Sequence, residues 1–233
     1  MVKRWQAPPR SQIVNITSAH FECSAPDLAA CPDESLPEFA FIGRSNVGKS
    51  SLVNLLCGRP GLAKVSAVPG FTKLINFFRM DDRWRLVDLP GYGFAEVARK
   101  DSARFNQAVA DYLQFRPNLR CIFVLIDSSL PPQGIDLEFM EGIARNGVPF
   151  VIAFTKVDRV STTKLRSHST AFLEAVRGLF DRAPETVACS AVASRGRMEL
   201  LSVISRFLGE EARRRGGATP AAKRPPSAKN RPW

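Results

Sequence analysis

The chain has 233 residues with 33 Lys/Arg against 22 Asp/Glu, a formal net charge of +11, and 45 % hydrophobic residues. That length and apolar content suit one α/β domain with tails and exclude two full domains. Residues 213–233 hold seven Lys/Arg and no Asp/Glu, which leaves 11 − 7 = +4 on residues 1–212. The concentrated charge points to an anionic partner, nucleic acid or a membrane surface, or else to a solubilising tail.

The five cysteines (Cys23, Cys31, Cys57, Cys121, Cys189) are scattered without CxxC spacing and read as reduced thiols. No apolar run reaches the length of a membrane span, and the amino-terminal residues hold no hydrophobic signal region, so a cytoplasmic protein without stable membrane insertion is expected.

In chain order, residues 1–37 are Pro-rich and read as an irregular leader, with one short strand near Ile13–Ile16. Continuous apolar runs then predict buried strands at Phe39–Gly43, Arg85–Asp88, Cys121–Asp127, Val148–Thr155 and Thr186–Ser190. Thr72–Met80 and Arg83–Asp88 flank the polar pair Asp81-Asp82 and predict an antiparallel hairpin. Helical periodicity places Leu165, Phe172, Val176 and Leu179 on one face of Thr163–Phe180, and Leu201, Ile204 and Leu208 on one face of Gly196–Glu211. This alternation predicts an α/β fold: a mostly parallel six-stranded sheet with one antiparallel strand and helices on both faces, spanning 38–212. Residues 213–233 read as a disordered basic tail.

Gly43-Arg44-Ser45-Asn46-Val47-Gly48-Lys49-Ser50 fits GxxxxGK[ST] between a strand and a helix, the context that motif needs. Its glycines let backbone N–H groups turn onto phosphates, and the helix start adds a positive end. Lys49 is the candidate for the β- and γ-phosphates, and the Ser50 hydroxyl for Mg²⁺. Asp88-Leu89-Pro90-Gly91 ends a hairpin strand; Asp88 would hold Mg²⁺ through water and the Gly91 N–H would sense the γ-phosphate. Thr72, within Gly70-Phe71-Thr72-Lys73-Leu74, is the candidate for a metal contact made only with GTP bound; the alternative is a β-branched residue opening a strand. Thr155-Lys156-Val157-Asp158 resembles the guanine motif NKxD. The Asp158 carboxylate can accept from guanine N1–H and N2–H₂, the Lys156 stem can lie over the base, and Thr155 replaces Asn, which is expected to loosen one tether to the phosphate loop. The backbone of Cys189-Ser190-Ala191 can meet guanine O6. All five elements fall in order at the carboxyl ends of strands, the ligand edge of an open α/β sheet. Together they predict a P-loop GTPase. A P-loop phosphotransferase is the alternative that Thr155–Asp158 argues against.

Three stretches carry a closer resemblance: Pro37 through Leu52, Pro69-Gly70-Phe71-Thr72 with Leu74-Ile75-Asn76-Phe77-Phe78, and Asp88-Leu89-Pro90-Gly91-Tyr92-Gly93-Phe94-Ala95. From about His20 to about Leu208 the chain resembles the EngB-type (YihA/YsxC-type) ribosome-biogenesis GTPases of the TrmE-Era-EngA-EngB-septin-like group. The resemblance implies GTP/GDP with Mg²⁺ as cofactors, a large ribosomal subunit precursor and its rRNA as partners, a monomer off the ribosome, and a link to cell division and septation. It also implies that Asn46 helps hold a K⁺ beside the phosphates, against the alternative that Asn46 only braces the loop. The chain departs from the family at Asp127-Ser128-Ser129-Leu130, which lacks an Arg-His pair, at Phe71, where a basic residue is common, and in its basic tail. A GTPase acting at the membrane or in tRNA modification stays open as an alternative.

Overall fold

The computed structural model describes residues 13–63, 74–93 and 99–215. In order these form β1 (Ala19–Ala25), β2 (Glu38–Gly43), α1 (Lys49–Cys57), β3 (Ile75–Met80), β4 (Trp84–Asp88), α2 (Arg99–Phe115), β5 (Leu119–Asp127), α3 (Gly134–Asn146), β6 (Phe150–Thr155), α4 (Thr162–Ala175), β7 (Glu185–Ala188) and α5 (Arg197–Arg215). The strands make a single seven-stranded sheet in the order β1-β3-β4-β2-β5-β6-β7. β3 pairs antiparallel with both β1 and β4, and the β4-β2-β5-β6-β7 pairings are parallel.

The apolar runs are continuous because both faces are covered. On β2 and β5, Phe39, Phe41, Cys121, Phe123 and Leu125 pack on one side with Leu52, Val53 and Leu56 of α1 and Leu200, Leu201 and Ile204 of α5. Ala40, Ile42, Ile122, Val124 and Ile126 pack on the other with Tyr112 and Leu113 of α2, Met140 and Ile143 of α3, and Phe172 of α4. Alternate side chains must point to opposite faces, so a strand between two helical layers is apolar at every position.

Two expectations need correction. The sheet has seven strands, not six, and the additional strand lies inside the segment read as an irregular leader. β1 is at Ala19–Ala25, whereas Ile13, Val14 and Ile16 pack against the α1/α5 core without forming a strand. The register of β1 on β3 shifts between Phe21 and Cys23, so Glu22 occupies a bulge. There its carboxylate accepts from Arg85 Nε (2.8 Å) and Nη2 (3.0 Å). Arg85 Nη1 also donates to the Asp33 carbonyl at 2.6 Å, and Arg116 Nη2 to the Pro32 carbonyl at 2.7 Å. These contacts bind the leader to the fold. The second correction is at the helices: α4 stops at Ala175 and a 3-10 turn, Arg177–Leu179, follows around Gly178, while α5 continues to Arg215, past the expected boundary at 213.

Candidate nucleotide-binding site

The phosphate loop is shaped by close backbone approach. A Cβ on Gly43 would stand 2.8 Å from the Leu125 carbonyl oxygen, so only glycine lets β2 end this near β5. Asn46 (φ 64°) and Gly48 (φ 97°) turn the chain through the left-handed region into α1. Gly48 caps that helix without a side-chain acceptor, and its first turn holds no acidic residue. The orphan N–H groups and the positive helix end are therefore presented to an anion. Val47 is buried and pins the loop beneath, whereas Asn46 is exposed at its crest.

Asp88 ends β4 with 2 % exposure and forms an ion pair with Lys49 Nζ, the motif lysine. The two groups share one buried position at the start of α1, next to Ser50. Gly91 follows where β4 continues towards the loop: a Cβ there would lie 3.0 Å from the Gly43 carbonyl and 3.3 Å from the Ser45 nitrogen. Arg44 and Tyr92 form a parallel bridge, and Ser45 N–H donates to the Tyr92 carbonyl at 3.4 Å. The DxxG and phosphate loops thus touch through backbone at Gly91 and Tyr92 and through the Lys49–Asp88 ion pair.

Tyr92, the residue after that glycine, turns away from the phosphate loop. Its ring stacks on Phe139 of α3 (4.3 Å between centroids, 14° between planes), and its hydroxyl donates to Asp136 Oδ1 at 3.0 Å. Burial, and then the Asp136 carboxylate, hold the Tyr92 phenol well above its ordinary pKa. Burial also raises Asp136, although Tyr92 and Arg44 oppose it. Arg44 lies along the same helix, with Nη1 3.4 Å from Gln133 Oε1 and Nε 3.9 Å from Asp136 Oδ1. Asp136 has no motif around it in the sequence, and its role depends on which loops α3 meets.

On the base side, Thr155 Oγ1 donates to the Val47 carbonyl at 2.7 Å. A tether to the phosphate loop is thus present with Thr in place of Asn. Lys156 takes a left-handed conformation (φ 55°), and Val157–Arg159 form a single 3-10 turn that leaves Asp158 exposed. Val157 N–H donates to the Cys189 carbonyl at 3.3 Å, joining the two base loops. Ser190 and Arg195 exchange backbone hydrogen bonds (3.0 and 2.9 Å), and Ser190 Oγ accepts from Ala193 N–H at 2.9 Å, which closes a tight turn around Ala191. Burial pushes the Cys189 thiol up to about 12, so this loop offers backbone and not a thiolate.

The fold brings the phosphate loop, Asp88–Gly91, Thr155–Asp158 and Cys189–Ala191 to one edge of the sheet. Leu74 lies exposed just ahead of β3, and Gly70, Phe71, Thr72 and Lys73 lie outside the described residues. Among the described residues no group of three or more His, Cys, Asp or Glu side chains could hold a metal by itself. A hard divalent cation would instead rest on Ser50, Asp88 and phosphate oxygens, a donor set that suits Mg²⁺.

Comparison with known proteins agrees with this geometry. The family model described as 50S ribosome-binding GTPase matches residues 38–156. Proteins described as probable GTP-binding protein EngB match from Bacteroides fragilis (47 % identity over 191 residues, 82 % of this chain and 95 % of the relative). Similar matches come from Porphyromonas gingivalis (44 % over 191 residues, 82 % and 95 %) and Flavobacterium johnsoniae (45 % over 192 residues, 82 % and 91 %). Among solved structures, a probable GTP-binding protein engB superposes with TM-score 0.61 at 20 % identity, covering 74 % of this chain and 99 % of that one. Era bound to MgGDPNP and a segment of 16S ribosomal RNA superposes with TM-score 0.60 at 18 % identity, covering 74 % and 56 %. These structural likenesses establish the fold.

Proposed function

The chain belongs to the EngB family of P-loop GTPases, guanine-nucleotide-binding hydrolases, and from that premise we propose that it uses a Mg²⁺-dependent GTP cycle to assist assembly of the large ribosomal subunit in the cytoplasm, with a link to normal cell division and septation. The observation that carries the reading is the meeting of the phosphate loop, Asp88–Gly91 and Thr155–Asp158 at one sheet edge, in a chain matched by a family described by its binding to the 50S ribosome. The basic excess at residues 213–233 suits an rRNA partner. Among the described residues no helix is long and apolar enough to cross a membrane.

In this mechanism Lys49 leaves Asp88 for the β- and γ-phosphates, and the amide groups of Gly43–Ser50 cradle the phosphate chain. Ser50, Asp88 and, with GTP bound, Thr72 would hold Mg²⁺, which supplies charge neutralisation between the β- and γ-phosphates. Gly91 N–H reports the γ-phosphate. Asp158 reads guanine N1–H and N2–H₂, Lys156 covers the base, and the Cys189–Ala191 backbone meets O6. Asn46 would help hold a K⁺.

The test is co-sedimentation with large-subunit precursor particles. The protein should travel with them in the presence of a non-hydrolysable GTP analogue and be released by GDP. Equal association in both nucleotides, or binding to anionic vesicles without particle association, would overturn the assembly role.

A further inference from the structure

Asp127 at the end of β5 and Ser128 just after it both reach the Thr155–Lys156 turn. Ser128 donates twice to the Thr155 carbonyl, from its N–H (3.1 Å) and its hydroxyl (2.6 Å). Asp127, 7 % exposed, accepts through Oδ1 from the N–H (2.9 Å) and hydroxyl (2.5 Å) of Ser129. Its other oxygen, Oδ2, accepts from Lys156 Nζ at 2.7 Å. The left-handed backbone of Lys156 sends its stem across the phosphate loop, with Cε 4.0 Å from where a Cβ on Gly48 would stand. The stem is thus stretched between two fixed points, Gly48 and Asp127.

We propose that Asp127 is a positioning residue for the guanine nucleotide: its carboxylate, oriented by Ser129, holds Lys156 extended so that the lysine stem forms a preformed wall for the base. The inference rests on the reading that Lys156 covers the base. A lysine stem is flexible, and a nucleotide that had to order it would lose affinity to that ordering, so fixing it beforehand is preorganisation. The carboxylate is charged when it does this. Burial pushes the Asp127 carboxyl up, but the hydrogen bonds from Lys156 and Ser129 outweigh burial and its pKa is lowered. The pair is charge-assisted and largely shielded from water, the setting in which such bonds are strongest.

A double-mutant cycle tests this, with the affinity of fluorescently labelled GDP as readout and thermal midpoints recorded alongside. Asp127→Ala should weaken GDP roughly tenfold, about 1.4 kcal/mol. Lys156→Ala should weaken it at least as much, and the double variant should bind no more weakly than Lys156→Ala alone. Wild-type affinity in Asp127→Ala beside a weakened Lys156→Ala would overturn the positioning role and leave the base reading intact. Additive losses would also overturn it, because Asp127 would then act without Lys156. Wild-type affinity in Lys156→Ala would remove the base reading and the proposal with it. Should Asp127→Ala not fold, Asp127→Asn keeps a side chain for Ser129, removes the charge, and should lose roughly threefold or more in affinity.

Discussion

Thr155 shows what a single side chain decides here. The guanine motif NKxD has Asn at this position, and a shorter side chain suggests a weaker hold on the phosphate loop. The carboxyl end of β6 nevertheless brings the Thr155 hydroxyl to 2.7 Å from the Val47 carbonyl, with the Ile126 carbonyl 3.3 Å away. Thr155 is 4 % exposed, so no water replaces that donor. Thr155→Val keeps the shape and removes the hydroxyl, leaving a buried acceptor unsatisfied at a cost of about 1–3 kcal/mol. We expect GDP affinity to fall roughly tenfold in Thr155→Val and to stay near wild type in Thr155→Ser. Equilibrium titration decides it, and wild-type affinity in the valine variant would show the tether to be dispensable. The motif residues were legible in the sequence because phosphate and guanine chemistry ties residue type to spacing. Asp127 and Asp136 were not, because a lone carboxylate acquires a role only from the loop that folds against it.

At the scale of elements, the strands buried on both faces were legible as unbroken apolar runs. β1 was not: it is an edge strand with Phe21 49 % exposed, a bulge at Glu22 and prolines on either side. What holds it is a polar network at the amino end of the sheet, which hydrophobic periodicity cannot reveal. Glu38, with no exposure, accepts from Arg116 Nε (2.9 Å) and Nη2 (2.6 Å) and from the Tyr112 hydroxyl (2.8 Å), and Arg85 Nη1 lies 3.6 Å away. Removing one member of a buried charge network strands the others, typically at about 3–5 kcal/mol. Arg116→Ala should therefore lower unfolding free energy by about that amount in urea. The network lies at the far end of β2 from the phosphate loop, about 17 Å away at the rise of a strand. GDP affinity of the folded variant should accordingly stay at the wild-type level. A stability loss below about 1 kcal/mol would mean that the network is exchangeable for water.

For the molecule as a whole, the order of the motifs made the architecture legible, since strand–loop–helix alternation brings the phosphate loop, Asp88–Gly91, Thr155–Asp158 and Cys189–Ala191 to one edge. The source of catalytic charge was less legible. Phosphoryl transfer needs an oriented water and neutralised charge between the β- and γ-phosphates. The residue after the DxxG glycine, the place of a water-orienting Gln in Ras-type enzymes, is Tyr92, and its hydroxyl is engaged by Asp136 while its ring lies on Phe139. The one arginine of the phosphate loop, Arg44, is directed to Gln133, just ahead of α3, and to Asp136 within it. Neither serves the phosphates while it keeps these partners, so intrinsic hydrolysis should be slow. Asn46 is different: it stands exposed at the crest of the loop in a left-handed turn, open to a cation beside the phosphates. A positive charge supplied there as an arginine finger is worth roughly a thousandfold or more in other GTPases. A K⁺ in that position should therefore raise turnover at least about tenfold. GTP hydrolysis is to be measured in KCl and in NaCl at matched ionic strength, with and without large-subunit particles. Turnover should be faster in KCl, and Asn46→Ala should erase the difference while GDP binding persists through the remaining loop amides. If neither salt is preferred under either condition, the cation role fails.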